Sequence, residues 1–276
     1  MNLNKIQVKK ASGKVEAFSE TKIRQSLARA GAKPKVINNI LDELTPSIYD
    51  GITTKEIYRQ VFELLNRYQY GQSYNYSLKE ALMKLGPSGF PFEKFIGRLF
   101  EKLGYETKVS NIIPGQCLDY EIDVVAQKDG QKDLIECKFH NRLGIKTHSK
   151  DILALHSKFE DIKGFDHAWL VTNTKLTSSA IKYGLCKGIK MLAWRYPNDE
   201  GLEKLIEKFQ LQPITILSFL NQEDCHLLFQ NNVVVVSDLV HLSSLQVENF
   251  GFAREKSKQL YDYISLQSQS AELINS

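Results

Sequence analysis

Phe92, Phe95, Ile96, Leu99, Phe100 and Leu103 recur at spacings of three and four, which lays one apolar stripe along a helix that Gly104 ends. Two β-rich runs then flank Asp129-Gly130. A helix is expected over 149–161, a strand over 167–172, a helix over 177–187 and a strand over 189–194. Strands alternating with helices predict a mixed α/β layer. Ahead of this, short strands are expected at 6–10 and 15–18 around a turn at Ala11-Ser12-Gly13. Ser19 is placed to cap a helix over 22–30, which Gly31 and Pro34 punctuate. Helices follow at 35–48, 54–68 (capped by Thr53 or Thr54) and 76–85, and 85–91 (LGPSGFP) is the clearest linker signal. Beyond Pro197 the pattern breaks into short helices, and the Ser/Gln-rich end is expected to fray. The expected fold class is therefore α/β. A small, mostly helical domain with an N-terminal β-hairpin (1–86) precedes a mixed-sheet core (90–196) and a helical C-terminal segment (197–276).

Composition narrows the class. The 276-residue chain is 42% hydrophobic and 25% charged, an ordinary globular balance. No apolar run approaches the roughly 18 residues of a membrane span, and the N-terminus lacks a signal-peptide core, so a soluble, cytoplasmic protein is expected. Cys117, Cys137, Cys186 and Cys225 are scattered, without CxxC pairs, which argues for reduced thiols, Cys137 buried, rather than a zinc site. Net charge is +6 over residues 1–90, +2 over 91–200 and −4 over 201–276. The positive front suits phosphate-bearing partners or a solvated lysine surface alike.

The hairpin carries the chemistry. Asp-Gly between strands signals a two-residue type I′ turn. Centred on Asp129-Gly130, it sets Asp123 opposite Glu136 and Glu121 opposite Lys138. Alternation then puts these four on one face, and Ile122, Val124, Ala126, Ile135, Cys137 and Phe139 on the other, the core face. Facing carboxylates repel. A divalent cation reverses that sign, and Mg²⁺ takes one or two protein carboxylates with water and phosphate completing its octahedron. The main-chain carbonyl of Cys137 is a candidate third oxygen, and Lys138 is placed to hold a water or steady charge growing on a phosphate. The same pattern also suits a solvated surface hairpin.

These residues carry a resemblance. Phe92-Glu93-Lys94-Phe95-Ile96-Gly97-Arg98-Leu99-Phe100 with Leu103-Gly104-Tyr105 comes first, then Glu121-Ile122-Asp123-Val124-Val125-Ala126 and Ile135-Glu136-Cys137-Lys138. Leu170-Val171-Thr172-Asn173-Thr174 and a helix with Ala180 close the set. Over roughly 90–195 the chain resembles the catalytic domain of Mrr-type restriction endonucleases, within the PD-(D/E)XK superfamily. The resemblance implies an α-β-β-β-α-β core and DNA cleavage dependent on Mg²⁺ or Mn²⁺, with Asp123, Glu136 and Lys138 on the signature positions. It adds Glu93 as a helix acid near the metal. Members often carry Gly two residues before the motif Asp; here Glu121 stands there, so Glu121 or Asp119 could assist. His140 follows at the strand end, with DNA contact as one role and a bland strand-end histidine as the other.

Over about 5–85 the chain resembles the ATP-cone, a nucleotide-binding regulatory domain. The carriers are Val8-Lys9-Lys10-Ala11-Ser12-Gly13-Lys14, Glu16, Phe18, Ser19, Lys22-Ile23 and 51–58 (GITTKEIY). That resemblance implies ATP or dATP held by Lys9, Lys10, Lys22, Thr54 and Tyr58. Clustered lysines and helix N-termini suit an anion. The Arg and Asp common at the family's turn are missing here. The tail, with 213–220, 227–229 and Asp238-Leu239, bears a faint likeness to helix-hairpin-helix elements, but its negative charge fits a packing or dimer helix better.

Together these features predict a DNA endonuclease regulated by an adenine nucleotide. Cutting both strands calls for two active sites, hence an expected homodimer. The alternatives are a catalytically silent nucleotide-sensing DNA-binding protein and a nucleotide-responsive interaction module without a DNA role.

Overall fold

A computed structural model describes residues 6–10, 13–68, 72–142 and 144–275, with backbone alone at 66, 72–76 and 266–275. Ala11 and Ser12 of the first expected turn lie outside the described residues. The chain divides into two compact units, 1–80 with 142–145, and 81–141 with 146–276.

In the first unit, β1 (Gln7–Lys9) pairs antiparallel with β2 (Val15–Ala17). Helix α1 (Glu20–Arg29) is capped by Ser19, whose side chain accepts from the Lys22 amide, satisfying one of the orphan donors of a helix start. Helix α2 (Pro34–Leu44) begins on a proline, whose missing N–H costs nothing there. Helix α3 (Thr54–Tyr68) starts with a reciprocal cap: Thr53 Oγ1 accepts from the Glu56 amide and the Glu56 carboxylate accepts from Thr53 N–H. Of the two threonines named as candidates, Thr53 is thus the cap. Leu27, Ile40, Leu44, Ile52, Val61 and Leu65 form the core of the unit. Helix α4 (Gln72–Met83) leads out of it.

The second unit opens with α5 (Phe90–Lys102), whose Phe92, Phe95, Ile96, Leu99 and Phe100 are all fully buried, as the stripe predicts. Gly104, at φ +88°, takes the left-handed turn that releases the chain. The strands β3 (Glu106–Pro114), β4 (Asp119–Lys128) and β5 (Gln131–Lys138) form an antiparallel meander. Then come β6 (Lys146–Thr147), α6 (Ser149–Asp161), β7 (His167–Thr172), β8 (Lys175–Leu176), α7 (Ser178–Cys186) and β9 (Lys190–Leu192). The main sheet runs β3-β4-β5-β7-β9, with β5, β7 and β9 parallel, and β6 and β8 form a small parallel pair.

Parallel strands need crossover helices, here α6 and α7, which pack together on one face of the sheet, while α5 covers the other. On β7, Trp169 meets Phe100 of α5 edge-on at 5.4 Å, while Ala168 packs with Ile152 and Leu155 of α6. Successive residues face opposite ways, so α5 lies on one face and α6 on the other. The expected single core face is therefore corrected: Val125 and Leu134, on the face assigned to solvent, are buried as well.

Helices α8 (Leu202–Lys208), α9 (Gln222–Gln230), α10 (Val236–Leu239), α11 (Ser244–Asn249) and α12 (Arg254–Asn275) complete the unit. The backbone of α12 stays helical through the Ser/Gln-rich end, where fraying was expected. This segment grips α5: Lys94 donates to the carbonyl of Phe229 at the end of α9, and Arg98 meets Asp238 at 3.5 Å. Lys94 thereby adds a second donor to a helix-end carbonyl that already accepts from the Asn232 N–H at 3.2 Å. No helix of the described residues is long and apolar enough to cross a membrane.

Candidate functional site

The hairpin turn has the expected form, with φ +51° at Asp129 and +79° at Gly130. From that turn the register holds from Lys128↔Gln131 to Val124↔Ile135 and stops there. Beyond, β5 continues alongside β7 to Lys138↔Thr172, and β4 continues alongside β3 to Asp119↔Pro114. Asp123 and Glu136 therefore sit just past the last rung, where the strands part. The Cys137 amide donates to Asp123 Oδ2 at 2.6 Å across that gap. Ser110, the β3 residue level with Asp123, takes φ +55°, and the β3–β4 register skips this position. The kink also breaks strict alternation on β4, because Ile122 shares a buried cluster with Val125. Glu121 is accordingly not held opposite Lys138; its carboxylate accepts from the Ser110 hydroxyl.

Two ammonium groups cover Glu136. Lys138 Nζ lies 2.6 Å from Oε1, and Lys158 Nζ, reaching from α6, lies 2.7 Å from Oε2. Burial would push the Glu136 carboxyl up, but these two lysines hold it below the usual range. Burial acts to lower Lys138, but its bond to Glu136 and the charges of Glu136, Asp123 and Asp151 together raise it. Asp123 is pushed up to about 6, first by burial and then by Glu136. Glu93, on the first turn of α5, is pushed up to about 7 by burial and by Asp123, Glu121 and Glu136. The Cys137 thiol rises well above its usual range, by burial first and the carboxylates second. Cys137 itself is partly rather than fully covered. Asp119 is exposed at the start of β4.

Thus Asp123, Glu136, Lys138 and Glu93 share one electrostatic neighbourhood. Two acids raised by burial and mutual repulsion mark a place where a cation would be stabilising. Among the described residues, no three His, Cys, Asp or Glu side chains gather closely enough to cage an ion. An ion here would draw on Asp123, Glu136 and a main-chain oxygen such as that of Cys137, leaving positions for water and phosphate. That sparse, hard-oxygen set fits Mg²⁺ or Mn²⁺.

The end of β5 is braced from behind. Thr172 Oγ1 donates to the Lys138 carbonyl at 2.7 Å, and Thr147, Thr172 and Thr174 form a buried triangle of hydroxyls at 2.9–3.1 Å. Asn173 exchanges two hydrogen bonds with the backbone of His140. The His140 ring lies 3.2 Å from Thr147 Oγ1, and burial lowers its pKa. Phe139 packs against Phe92 with centroids 5.6 Å apart and the rings tilted by 39°, and fills the space beside Gly86, where a Cβ would come within 2.6 Å of its ring.

Sequence reasoning missed Lys158 and the threonine triangle. Lys158 follows Leu155 by one helical turn, on the flank of the buried stripe of α6, a weak signal by itself. The threonines come from β6, β7 and the loop after it, so only the tertiary fold unites them.

In the first unit, Lys10 Nζ and Lys22 Nζ converge on Glu16, at 2.6 and 2.9 Å. These bonds hold the Glu16 carboxyl below its usual range. Lys9 bridges to Thr53, so it lies beside the start of α3 and Thr54. Tyr58 stacks on Phe62 at 6.4 Å, one turn further along α3. The candidate nucleotide residues thus fall into a Lys10–Lys22 pair and a group around the α3 N-terminus.

A mixed sheet that presents an Asp and an E-x-K set where two strands part defines a restriction-endonuclease-like nuclease domain. Comparison agrees: residues 86–194 match the Mrr_cat family, described as restriction endonuclease, and residues 6–79 match the ATP cone domain. A curated relative, an uncharacterized protein of Archaeoglobus fulgidus, is 38% identical over 167 residues, 60% of this chain and 95% of that protein. The crystal structure of AF1548, a protein of unknown function, aligns with TM-score 0.60 and 36% identity, covering 64% of this chain and 97% of that one. Can2 from Sulfobacillus thermosulfidooxidans, in complex with cyclic tetra-adenylate, overlaps with TM-score 0.33 and 14% identity over 69% of this chain and 53% of that one. The chain belongs to one family with this archaeal relative, and it carries a restriction endonuclease domain of the Mrr_cat type at 86–194 behind an ATP cone at 6–79.

Proposed function

We propose that the protein is a Mg²⁺- or Mn²⁺-dependent endodeoxyribonuclease whose activity responds to ATP or dATP at the cone. The observation that carries this is the parting of β4 from β5 at Asp123 and Glu136, with Lys138 held on Glu136. In this reading Asp123, Glu136 and the Cys137 carbonyl hold the metal. The ion, when bound, supplies Lewis acidity and lowers the pKa of water. Glu93 adds negative charge at the edge of the site. Lys138 swings from Glu136 towards the scissile phosphate, where its ammonium orients the attacking water and offsets charge on the phosphoryl oxygens. The threonine bond to the Lys138 carbonyl keeps the strand end rigid while the side chain moves. Lys9, Lys10, Lys22, Thr54 and Tyr58 take the nucleotide, whose phosphates would displace Glu16 from Lys10 and Lys22. The reading places the nucleotide domain at 1–86, the nuclease at 90–196 and a helical segment at 197–276, in a cytoplasmic homodimer.

The test is direct. Plasmid, linear and branched DNA are incubated with the protein and Mg²⁺ or Mn²⁺, with and without ATP and dATP, beside Asp123→Ala and Lys138→Ala. Metal-dependent cutting lost in both variants supports the nuclease, and a change in rate with nucleotide supports the regulation. DNA binding without cutting under every condition would refute the hydrolytic role.

A further inference from the structure

Lys158 has no part in the reaction as described, yet it is the more deeply placed of the two lysines on Glu136. Its side chain is 18% exposed, against 34% for Lys138. The ammonium lies 2.7 Å from Glu136 Oε2 and 3.0 Å from the main-chain oxygen of Glu121. The Tyr120 ring stands 6.0 Å away on its other side. One carboxylate oxygen and one carbonyl oxygen, converging on a single cation, are hard-oxygen ligands of the kind that a divalent ion uses.

Glu136 therefore has two oxygens with different occupants. Oε1 carries Lys138 at 2.6 Å, and on the reading above that lysine leaves it to act on substrate. Oε2 faces α6 and carries a cation anchored by the fold. Nucleases with two metals place the ions roughly 3.5–4 Å apart, bridged by a shared carboxylate. An ammonium fixed on the second oxygen of that carboxylate fills the second position with a single positive charge.

We propose that Lys158 stands in for a second divalent cation and so restricts the site to one metal ion. This rests on the metal-dependent reading above. Lys158 is on this view a positioning residue: it fixes Glu136 so that Oε1 alone is offered to the ion, and it supplies charge that a second ion would otherwise bring. A lysine kept only for packing or for neutralising a buried acid would leave the count of bound ions untouched.

Mn²⁺ bound per chain is counted on the full-length protein without DNA, by the loss of the free-ion electron paramagnetic resonance signal. The variants are Lys158→Ala, Lys158→Gln and Lys158→Arg, each checked by circular dichroism melting, with Asp123→Ala as control. The expected result is one ion in the wild type, two in Lys158→Ala, and one again in Lys158→Arg, where the charge returns. If the alanine variant does not fold, the glutamine variant, which keeps length without charge, gives the same reading. One ion in the wild type and one in both uncharged variants overturns the role of Lys158 and leaves the metal site standing. Two ions in the wild type overturns it likewise. No bound Mn²⁺ in the wild type at millimolar concentration removes the metal-dependent reading and this proposal together.

Discussion

Asp123→Asn should stabilise the metal-free protein while removing its proposed activity. In the folded chain the Asp123 carboxyl is pushed from 3.8 to about 6, by burial first and the Glu136 charge second. That is about two pH units, worth ~3 kcal/mol at 1.36 kcal/mol per unit, and partial exposure of the side chain reduces it to about 2 kcal/mol. The folded group titrates above the unfolded one. Its contribution is thus full below about pH 4, and it is lost as pH rises through about 6. Asparagine keeps an oxygen for the Cys137 amide and cannot ionise, so it escapes the loss. Urea denaturation in EDTA should show no difference between variant and wild type near pH 3.5. The gap should widen to about 2 kcal/mol in favour of the variant at pH 8. Adding Mg²⁺ should narrow the gap, because only the wild type gains a ligand. A variant equal to or weaker than wild type at pH 8 in EDTA would refute the argument that the acids are held together against their own repulsion.

Further outcomes are expected elsewhere. Lys138→Ala should cut DNA nicking by at least ~100-fold, since removing a charge aimed at the transition state typically costs that much; a loss under threefold in a nicking assay would end its catalytic assignment. Asp133, 1% exposed, accepts from Trp169 Nε1 at 2.7 Å and pairs with His167 at 2.8 Å. Asp133→Ala should lower unfolding free energy by about 3 kcal/mol, the cost of stranding partners of a buried charge, and a loss below ~0.5 kcal/mol by urea titration would contradict that. Asp161 binds the Cys117 and Leu118 amides, and its carboxyl is held low mainly by Cys117. Its support is present above about pH 4 and fades as pH falls through its lowered pKa, so Asp161→Asn should speed hydrogen exchange at 117 and 118 at pH 7, with the difference shrinking as the pH is taken down through that pKa. Lys22→Glu should abolish binding of a fluorescent ATP analogue, and retained affinity would move the nucleotide away from the Lys10–Lys22 pair.

Local signals carried much of this far. The α5 stripe, the Ser19 cap and the Asp129-Gly130 turn each rest on residues close in sequence, so their physics is complete within a short window. β3 is not legible from its residues alone: its burial alternates strictly, but polar Thr107 and Asn111 stand on the covered side and Ile112 on the exposed one, as its place at the sheet edge allows. The turn register ran true for five rungs, then failed where partners outside the hairpin took over: β3 drew β4 one way and β7 drew β5 the other. Lys158 became visible only when α6 was laid across the sheet, since nothing within 20 residues of it in sequence announces Glu136 as its partner.

The parting of β4 from β5 has a consequence for ion choice. Each candidate carboxylate rides on a strand braced by a different neighbour, so the main chain fixes where both side chains start. Mg²⁺ demands oxygens at about 2.0–2.1 Å, whereas Ca²⁺ sits at about 2.3–2.6 Å with more ligands. A spacing whose starting points are fixed by backbone resists widening more than one between two mobile segments would. On the proposed metal-dependent reading, discrimination between the two ions would be inherited from sheet geometry, where Ser110 on the edge strand takes φ +55° level with Asp123.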